Sequence, residues 1–150
     1  DPFQDKLYSA SKGGGAYEND RRVFVTTKSE LAGANIAGST SYNQLKQRRA
    51  FFDNLLESGA KQLIVPGNVF KSTLVASGRI DGYVFPGKSA HDVAAAALIV
   101  QEAGGKVTDL YGKEQRYDGP IYGAIITNGH LHDELVELLK DFRPENYVGY

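Results

Sequence analysis

The stretch His91-Asp92-Val93-Ala94-Ala95-Ala96-Ala97-Leu98-Ile99-Val100-Gln101-Glu102-Ala103-Gly104-Gly105 narrows the choice of fold more than any other. An acid stands at its opening, small residues follow, and an apolar run stops at Gly-Gly. Aspartate is a favoured N-cap because its carboxylate accepts from the first free helical N–H groups. Glycine supplies a left-handed C-cap. A helix opened by Asp92 is therefore expected, with alanines that let a neighbouring backbone or helix come close. Gly82–Phe85 before it and Lys106–Leu110 after it have β character, which makes a strand–loop–helix–strand unit. Ligands in open α/β sheets gather at such loops, so Asp92 is the first candidate for function.

This run resembles the second signature of the inositol monophosphatase superfamily: an Asp, small residues, an apolar stretch, and Glu-Ala-Gly-Gly leading into a strand. The resemblance extends along the chain in order. Asp1-Pro2-Phe3-Gln4-Asp5-Lys6-Leu7-Tyr8, with Lys12-Gly13-Gly14-Gly15-Ala16-Tyr17, resembles the hairpin after the family's first signature. Gly78-Arg79-Ile80-Asp81-Gly82-Tyr83-Val84 resembles its helix stop and next strand, and Thr108-Asp109-Leu110-Tyr111-Gly112 a later strand and turn. Ile125-Ile126-Thr127-Asn128-Gly129-His130 resembles the last strand and the approach to the final helix. The resemblance implies the C-terminal half of a Mg²⁺-dependent phosphatase of the lithium-sensitive type.

A chain of 150 residues is one domain's worth and buries about two-thirds of its unfolded surface. Its composition, 41% hydrophobic and 23% charged, is that of a globular protein. A net charge of −1 gives no basic field for nucleic acid or an anionic membrane. No apolar run approaches the roughly 20 residues of a membrane helix. With no cysteine, disulfides, thiol catalysis and Cys-zinc sites are excluded. Cytoplasm is the default compartment. With no methionine either, Asp1 is not an initiator, and a fragment or processed product of a longer protein is expected, with the family's first half upstream.

Lys6–Ala10, Ala16–Asn19 and Arg22–Thr26 read as strands, Gly13–Gly15 as their turn, and Asn35–Gly38 and Gln62–Val65 as short buried strands. Asn43–Ser58 reads as a helix with Leu45, Phe51, Phe52, Leu55 and Leu56 on one face. Val69–Ser77 reads as a helix stopped by Gly78. Tyr83–Phe85 and Tyr122–Thr127 read as strands, Gly112–Gly119 as a hairpin-like excursion, and Leu131–Phe142 as the last amphipathic helix. The tail Pro144–Tyr150 is expected to be weakly fixed. Strands alternating with helices predict an α/β fold, a layered α/β/α arrangement with a mixed sheet covered on both faces. Residues 1–25 differ. They read as antiparallel hairpin strands left from a preceding sheet, weakly anchored and prone to self-association, with 26–150 as the C-terminal α/β domain. An unpaired edge invites another chain, so a homodimer is a candidate assembly.

Spacing alone makes Asp92 a plain helix cap. The resemblance makes it a ligand of Mg²⁺, a hard cation held by one or two carboxylates plus substrate phosphate. The family's other ligands come from a Glu and an Asp-Pro-x-Asp-Gly segment. Asp1-Pro2 does not supply the latter, because Phe3-Gln4-Asp5 does not complete it. No catalytic residue is therefore assigned within this fragment. Gly67-Asn68-Val69 opens a helix after a strand, where free N–H groups can meet an anion. It is either a turn capped by Asn68 or, by resemblance, part of the substrate-hydroxyl contacts. Ser39 and Thr40 stand at a strand end and are either solvated loop residues or, by resemblance, substrate contacts. Phe85 departs from relatives that place a Glu there to meet an inositol hydroxyl. Lys88 is either solvated or a partner for a second phosphate. His91 reads as a packing or second-shell residue. Glu102, ten residues past Asp92, is too far along the helix to share an ion and reads as helix-end capping or surface charge.

The resemblance thus implies part of a Mg²⁺-dependent phosphomonoesterase for inositol or sugar phosphates, expected to be inert as the isolated fragment. A small phosphorylated substrate and the missing half are its partners. Fructose-1,6-bisphosphatase and 3′-phosphoadenosine phosphatase relatives stay open. So does a non-catalytic α/β binding module.

Overall fold

The computed structural model describes residues 1–38 and 45–140, without the side chains of 45–50. An antiparallel sheet opens the chain, formed by β1 (Tyr8–Ser11), β2 (Gly15–Glu18) and β3 (Arg21–Val23). A second sheet is formed by β4 (Asn35–Ala37), β5 (Lys61–Leu63), β6 (Gly82–Phe85), β7 (Lys106–Thr108) and β8 (Ala124–Thr127), in the order β5-β4-β6-β8-β7. There β4 runs parallel to β5 and β6, while β8 runs antiparallel to β6 and β7. The helices are α1 (Leu45–Glu57), α2 (Asn68–Ala76), α3 (Ala94–Glu102) and α4 (His132–Leu138).

Side chains along a strand alternate between faces, and the mixed sheet sorts its apolar residues accordingly. Ala37, Tyr83, Phe85 and Ile126 pack with Val75 and Ala76 of α2 and with Ala97 and Val100 of α3. Ile36, Val84 and Ile125 point the other way, onto Phe51, Phe52 and Leu55 of α1 and Leu135 of α4. Both faces are covered, as the strand–helix alternation predicts. The alanine-rich stretch acts as expected: with only methyl groups at Ala96 and Ala97 on its buried side, α3 lies close against α2 and the hairpin sheet. It ends at Ala103, and Gly104 takes the left-handed conformation (φ +91°) that the Gly-Gly stop predicts.

The start of α3 is different. Asp92 does not cap it. Ala90–Asp92 form one 3₁₀ turn, Val93 stands at the cap position, and no side chain bonds the helix start. The reason is local. The N–H groups of Asp92 and Val93 already donate to the carbonyls of Ser89 and Ala90, at 3.1 and 3.0 Å. That 3₁₀ turn carries Asp92 one residue ahead of the cap position, which falls to Val93.

The expected weak anchoring of the first 25 residues is overturned. Ala16 and Val23 belong to the same apolar core as α2 and α3. The Glu102 carboxylate accepts from the N–H groups of Gly13 and Gly15 at 2.7 and 2.9 Å, so Glu102 is neither a free surface charge nor a helix cap. Arg79 reaches Glu18 at 2.6 Å and the Tyr8 hydroxyl at 2.7 Å. Strand β3 stops at Val23, short of the expected Thr26, because the next residues turn inward. The Val25 N–H donates to the Ala103 carbonyl at 3.1 Å, and the Thr26 hydroxyl donates to the buried Asp81 carboxylate at 2.5 Å. Asp81 also accepts from the Asn35 N–H at 2.8 Å, which pins the entry of β4.

Candidate functional site

Because β4, β5 and β6 are parallel, their C-terminal ends lie along one edge of the sheet. Three connections leave that edge. Gly38 follows β4, Pro66-Gly67 leads from β5 into α2, and Pro86–Asp92 leads from β6 into α3. Crevices outside the carboxyl ends of strands are where such sheets bind ligands.

At the second connection Gly67 takes φ +78°, a conformation that a side chain strains and glycine does not. Asn68 is thereby the first residue of α2 and not its cap, which corrects the turn reading. Its side chain turns instead to β6: the Tyr83 hydroxyl donates to Asn68 Oδ1 at 2.8 Å. One helical turn further, Lys71 lies on the same side of α2. Its ammonium sits 4.4 Å from the centroid of the Tyr83 ring, and Nζ approaches the Gly38 carbonyl at 3.4 Å. Lys71 is only 2% exposed, a rare state for a lysine. Phe85, two residues along the strand from Tyr83 and on the same face, packs its ring 6.4 Å from the Tyr83 ring.

Asp92 closes this group. Burial, and after it the negative charge of Asp92, pushes the Tyr83 phenol far above its ordinary range, so its proton stays on. The Asp92 carboxylate itself is half-buried and has no hydrogen-bond or ion-pair partner among the described residues. A carboxylate at this edge with no such partner among the described residues suits a hard cation, which binds through carboxylate oxygens. It is a single contribution: no group of three or more acidic, histidine or cysteine side chains converges among the described residues.

Of the residues singled out in the sequence, Asn68 is bonded to Tyr83, and Asp92 lies near enough for its charge to act on the same phenol. Gly67 shapes the turn, and Val69 is exposed beside it. Ser39 and Thr40 lie outside the described residues, directly after Gly38. His91 is exposed, so it does not pack in the interior, and Lys88 is half-buried on the connection from β6. Tyr83 and Lys71 were not anticipated. Lys71 carried a signal: a lysine three positions after Asn68 shares its helix face, in a helix with no other charge. Tyr83 carried none, because an aromatic residue in a buried strand is ordinary core.

A sequence model of the inositol monophosphatase family matches residues 1–143. A protein of Pasteurella multocida named Nus factor SuhB is 34% identical over 144 residues, which is 94% of this chain and 51% of that protein. The fructose-1,6-bisphosphatase/inositol-1-monophosphatase of Thermotoga maritima is 31% identical over 142 residues, 93% of this chain and 53% of the relative. An inositol monophosphatase structure from Anabaena superposes with a TM-score of 0.83 at 31% identity, covering 94% of this chain and 56% of that one. The chain thus spans about half the length of the curated relatives it matches.

Proposed function

The chain belongs to the inositol monophosphatase family, and on that footing we propose that it forms the later half of a Mg²⁺-dependent phosphomonoesterase acting on inositol or sugar phosphates. The observation that carries this reading is the Asp92 carboxylate, half-buried at the C-terminal edge of the parallel strands without a hydrogen-bond or ion-pair partner among the described residues. Asp92 would hold the metal. Mg²⁺ there would supply Lewis-acid stabilisation of the charge that develops on the phosphate ester. The other ligands and the groups that activate water are assigned to the half outside this chain, so the 150 residues alone are assigned no turnover. Gly67, Asn68 and Val69 would orient the substrate, with Ser39 and Thr40 completing that side. The hairpin strands β1–β3 would continue the sheet of the preceding half. The placement as the later half draws its support from the Asp92 signature and from the order of the matched segments.

A second reading, a non-catalytic α/β binding module, draws on the same lone carboxylate. Expression of the complete reading frame separates the two. An upstream Glu and Asp-Pro-x-Asp-Gly segment, with Mg²⁺-dependent phosphate release that Asp92→Asn abolishes, is the expected result. Release that persists unchanged in Asp92→Asn removes Asp92 from the reaction, and no release from any sugar or inositol phosphate leaves the binding module.

A further inference from the structure

The chain between Phe85 and Asp92 is seated on an aromatic ring. Residues 85 and 87 face the same side of an extended chain, and the Phe85 ring folds back beneath the backbone of Gly87. A Cβ built on Gly87 would lie 2.2 Å from Phe85 Cζ, and 2.7 and 2.9 Å from the two Cε atoms. The ring therefore fills the space that a side chain at position 87 would need. Core packing holds it there: Phe85 is buried in the same apolar cluster as Tyr83, Val93 and Ile121.

The connection is also laced to the approach to β8. The Gly123 N–H donates to the Gly87 carbonyl, and the Ile121 N–H to the Lys88 carbonyl, both at 3.1 Å. Gly123 is held in turn by Gln115, whose Nε2 donates to its carbonyl at 2.8 Å. Only Ser89 separates Lys88 from the 3₁₀ turn Ala90–Asp92, and the Asp92 N–H donates to the Ser89 carbonyl at 3.1 Å. Val93, directly after Asp92, is buried. The half-buried Asp92 is thus carried on one short turn fixed at both ends.

We propose that Phe85 is a positioning residue for Asp92: its ring seats Gly87, the seat and the Ile121 and Gly123 bonds fix the connection, and the connection holds the carboxylate in place before a cation arrives. This rests on the metal-binding reading of Asp92. A carboxylate on a loose loop loses conformational freedom on binding, whereas one already fixed loses little. Groups that orient a metal ligand without touching the metal change affinity by roughly tenfold to a hundredfold when altered.

The test uses the protein of the complete reading frame. Mn²⁺ stands in for Mg²⁺, and the site in question is the Mn²⁺ binding, read by electron paramagnetic resonance, that Asp92→Asn removes. Gly87→Ala drives a methyl group against the ring, and Phe85→Leu removes the ring and leaves a gap. Each alone should weaken Mn²⁺ at that site, Gly87→Ala by roughly tenfold. Gly87→Ala should also speed amide exchange at Ile121 and Gly123. Phe85→Leu combined with Gly87→Ala puts the methyl into the gap. The combination should bring both readouts back toward the wild type, and it can be measured against Phe85→Leu where Gly87→Ala alone does not fold. A lowered Tm with unchanged Mn²⁺ affinity in the single variants would make the ring core packing and nothing more. That result, or a combined variant no better than Phe85→Leu, would overturn the proposal. If the wild type has no Asp92-dependent Mn²⁺ site, the metal reading fails instead. The Asp92 Cγ resonance in ¹³C-aspartate-labelled protein then decides the seat: it should move in each single variant and return in the combined one, and a resonance that stays put overturns the positioning role.

Discussion

Glu102 and Gly13 stand 89 positions apart, and the carboxylate of one accepts the backbone N–H of the other at 2.7 Å. The second carboxylate oxygen takes the Gly15 N–H at 2.9 Å. A side chain of the Glu-Ala-Gly-Gly run thus closes the turn of a hairpin that belongs to another sheet. These backbone bonds hold the Glu102 carboxyl below its ordinary range. A depressed carboxylate contributes stability above its unfolded pKa and loses it as pH falls through the folded one.

Glu102→Gln should therefore speed amide exchange at Gly13 and Gly15 while leaving the mixed sheet protected. The same loosening should appear in the wild type on acidification below the ordinary carboxylate range. Unchanged protection of those two amides in the variant would show that the turn holds itself.

What could be read from the sequence, and what could not, divides along the reach of the interactions. The α3 stretch, the Gly104 stop, the buried strands and the amphipathic α4 all depend on neighbours within a few residues, and they appear where periodicity puts them. The 3₁₀ entry at Ala90–Asp92 is not legible because aspartate is a good cap in isolation, whereas here the turn closed by the Ser89 and Ala90 carbonyls moves the cap position on to Val93. The Glu102 clamp, the Arg79–Glu18 bridge and the Tyr83–Asn68 pair join residues 15 to 89 positions apart. No local pattern encodes such contacts. Of the candidate site, Asp92 and Asn68 could be named from the sequence, while Tyr83, whose hydroxyl holds the Asn68 side chain, could not.

His132 sets an acid limit on the fold. It is fully buried, with Nδ1 2.9 Å from the Thr127 hydroxyl and Nε2 2.9 Å from the Thr108 hydroxyl. Thr108 gives its own proton to the Asp109 carbonyl at 2.8 Å, and Thr127 already accepts from the Gly129 N–H at 3.1 Å. The ring is thus neutral, donating through Nε2 and accepting at Nδ1. Burial, followed by the charge of Lys106, lowers its pKa to about 4, against a smaller opposing effect of Asp133. The unfolded state binds the extra proton first, so stability falls as pH drops from about 6.5 toward 4, by about 3 kcal/mol across that window. Thermal unfolding between pH 7 and pH 4.5 should show this slope. His132→Gln should be less stable at pH 7 but lose less on acidification. An equal slope in the variant would assign the acid sensitivity elsewhere.

Asp92→Asn separates folding from function. The carboxylate makes no hydrogen bond among the described residues and does not cap α3, so the substitution should change stability by no more than about 0.5 kcal/mol. In the complete enzyme it removes the negative charge that a Mg²⁺ site needs, and Mg²⁺-dependent phosphate release should collapse. A clear drop in Tm would instead give the carboxylate a structural partner.

Phe85 reports on the substrate. Its ring is buried at the end of β6, against Tyr83, and on the proposed function it stands where the family resemblance leads one to expect an acceptor for an inositol hydroxyl. An inositol hydroxyl left there without a partner costs about 1–3 kcal/mol, a handicap of roughly tenfold to a hundredfold against myo-inositol monophosphate. Two substitutions distinguish this effect from a change in packing. Phe85→Leu keeps the site apolar and should leave the handicap in place, at a modest loss of stability from imperfect filling. Phe85→Gln supplies an acceptor and should raise kcat/KM for inositol monophosphate relative to a bisphosphate sugar, even though its amide is poorly placed among apolar neighbours and lowers Tm. The measurement is a substrate panel on the complete enzyme and both variants. A wild-type preference for inositol monophosphate, or an equal response of the two variants, would show that the residue at the end of β6 does not set specificity.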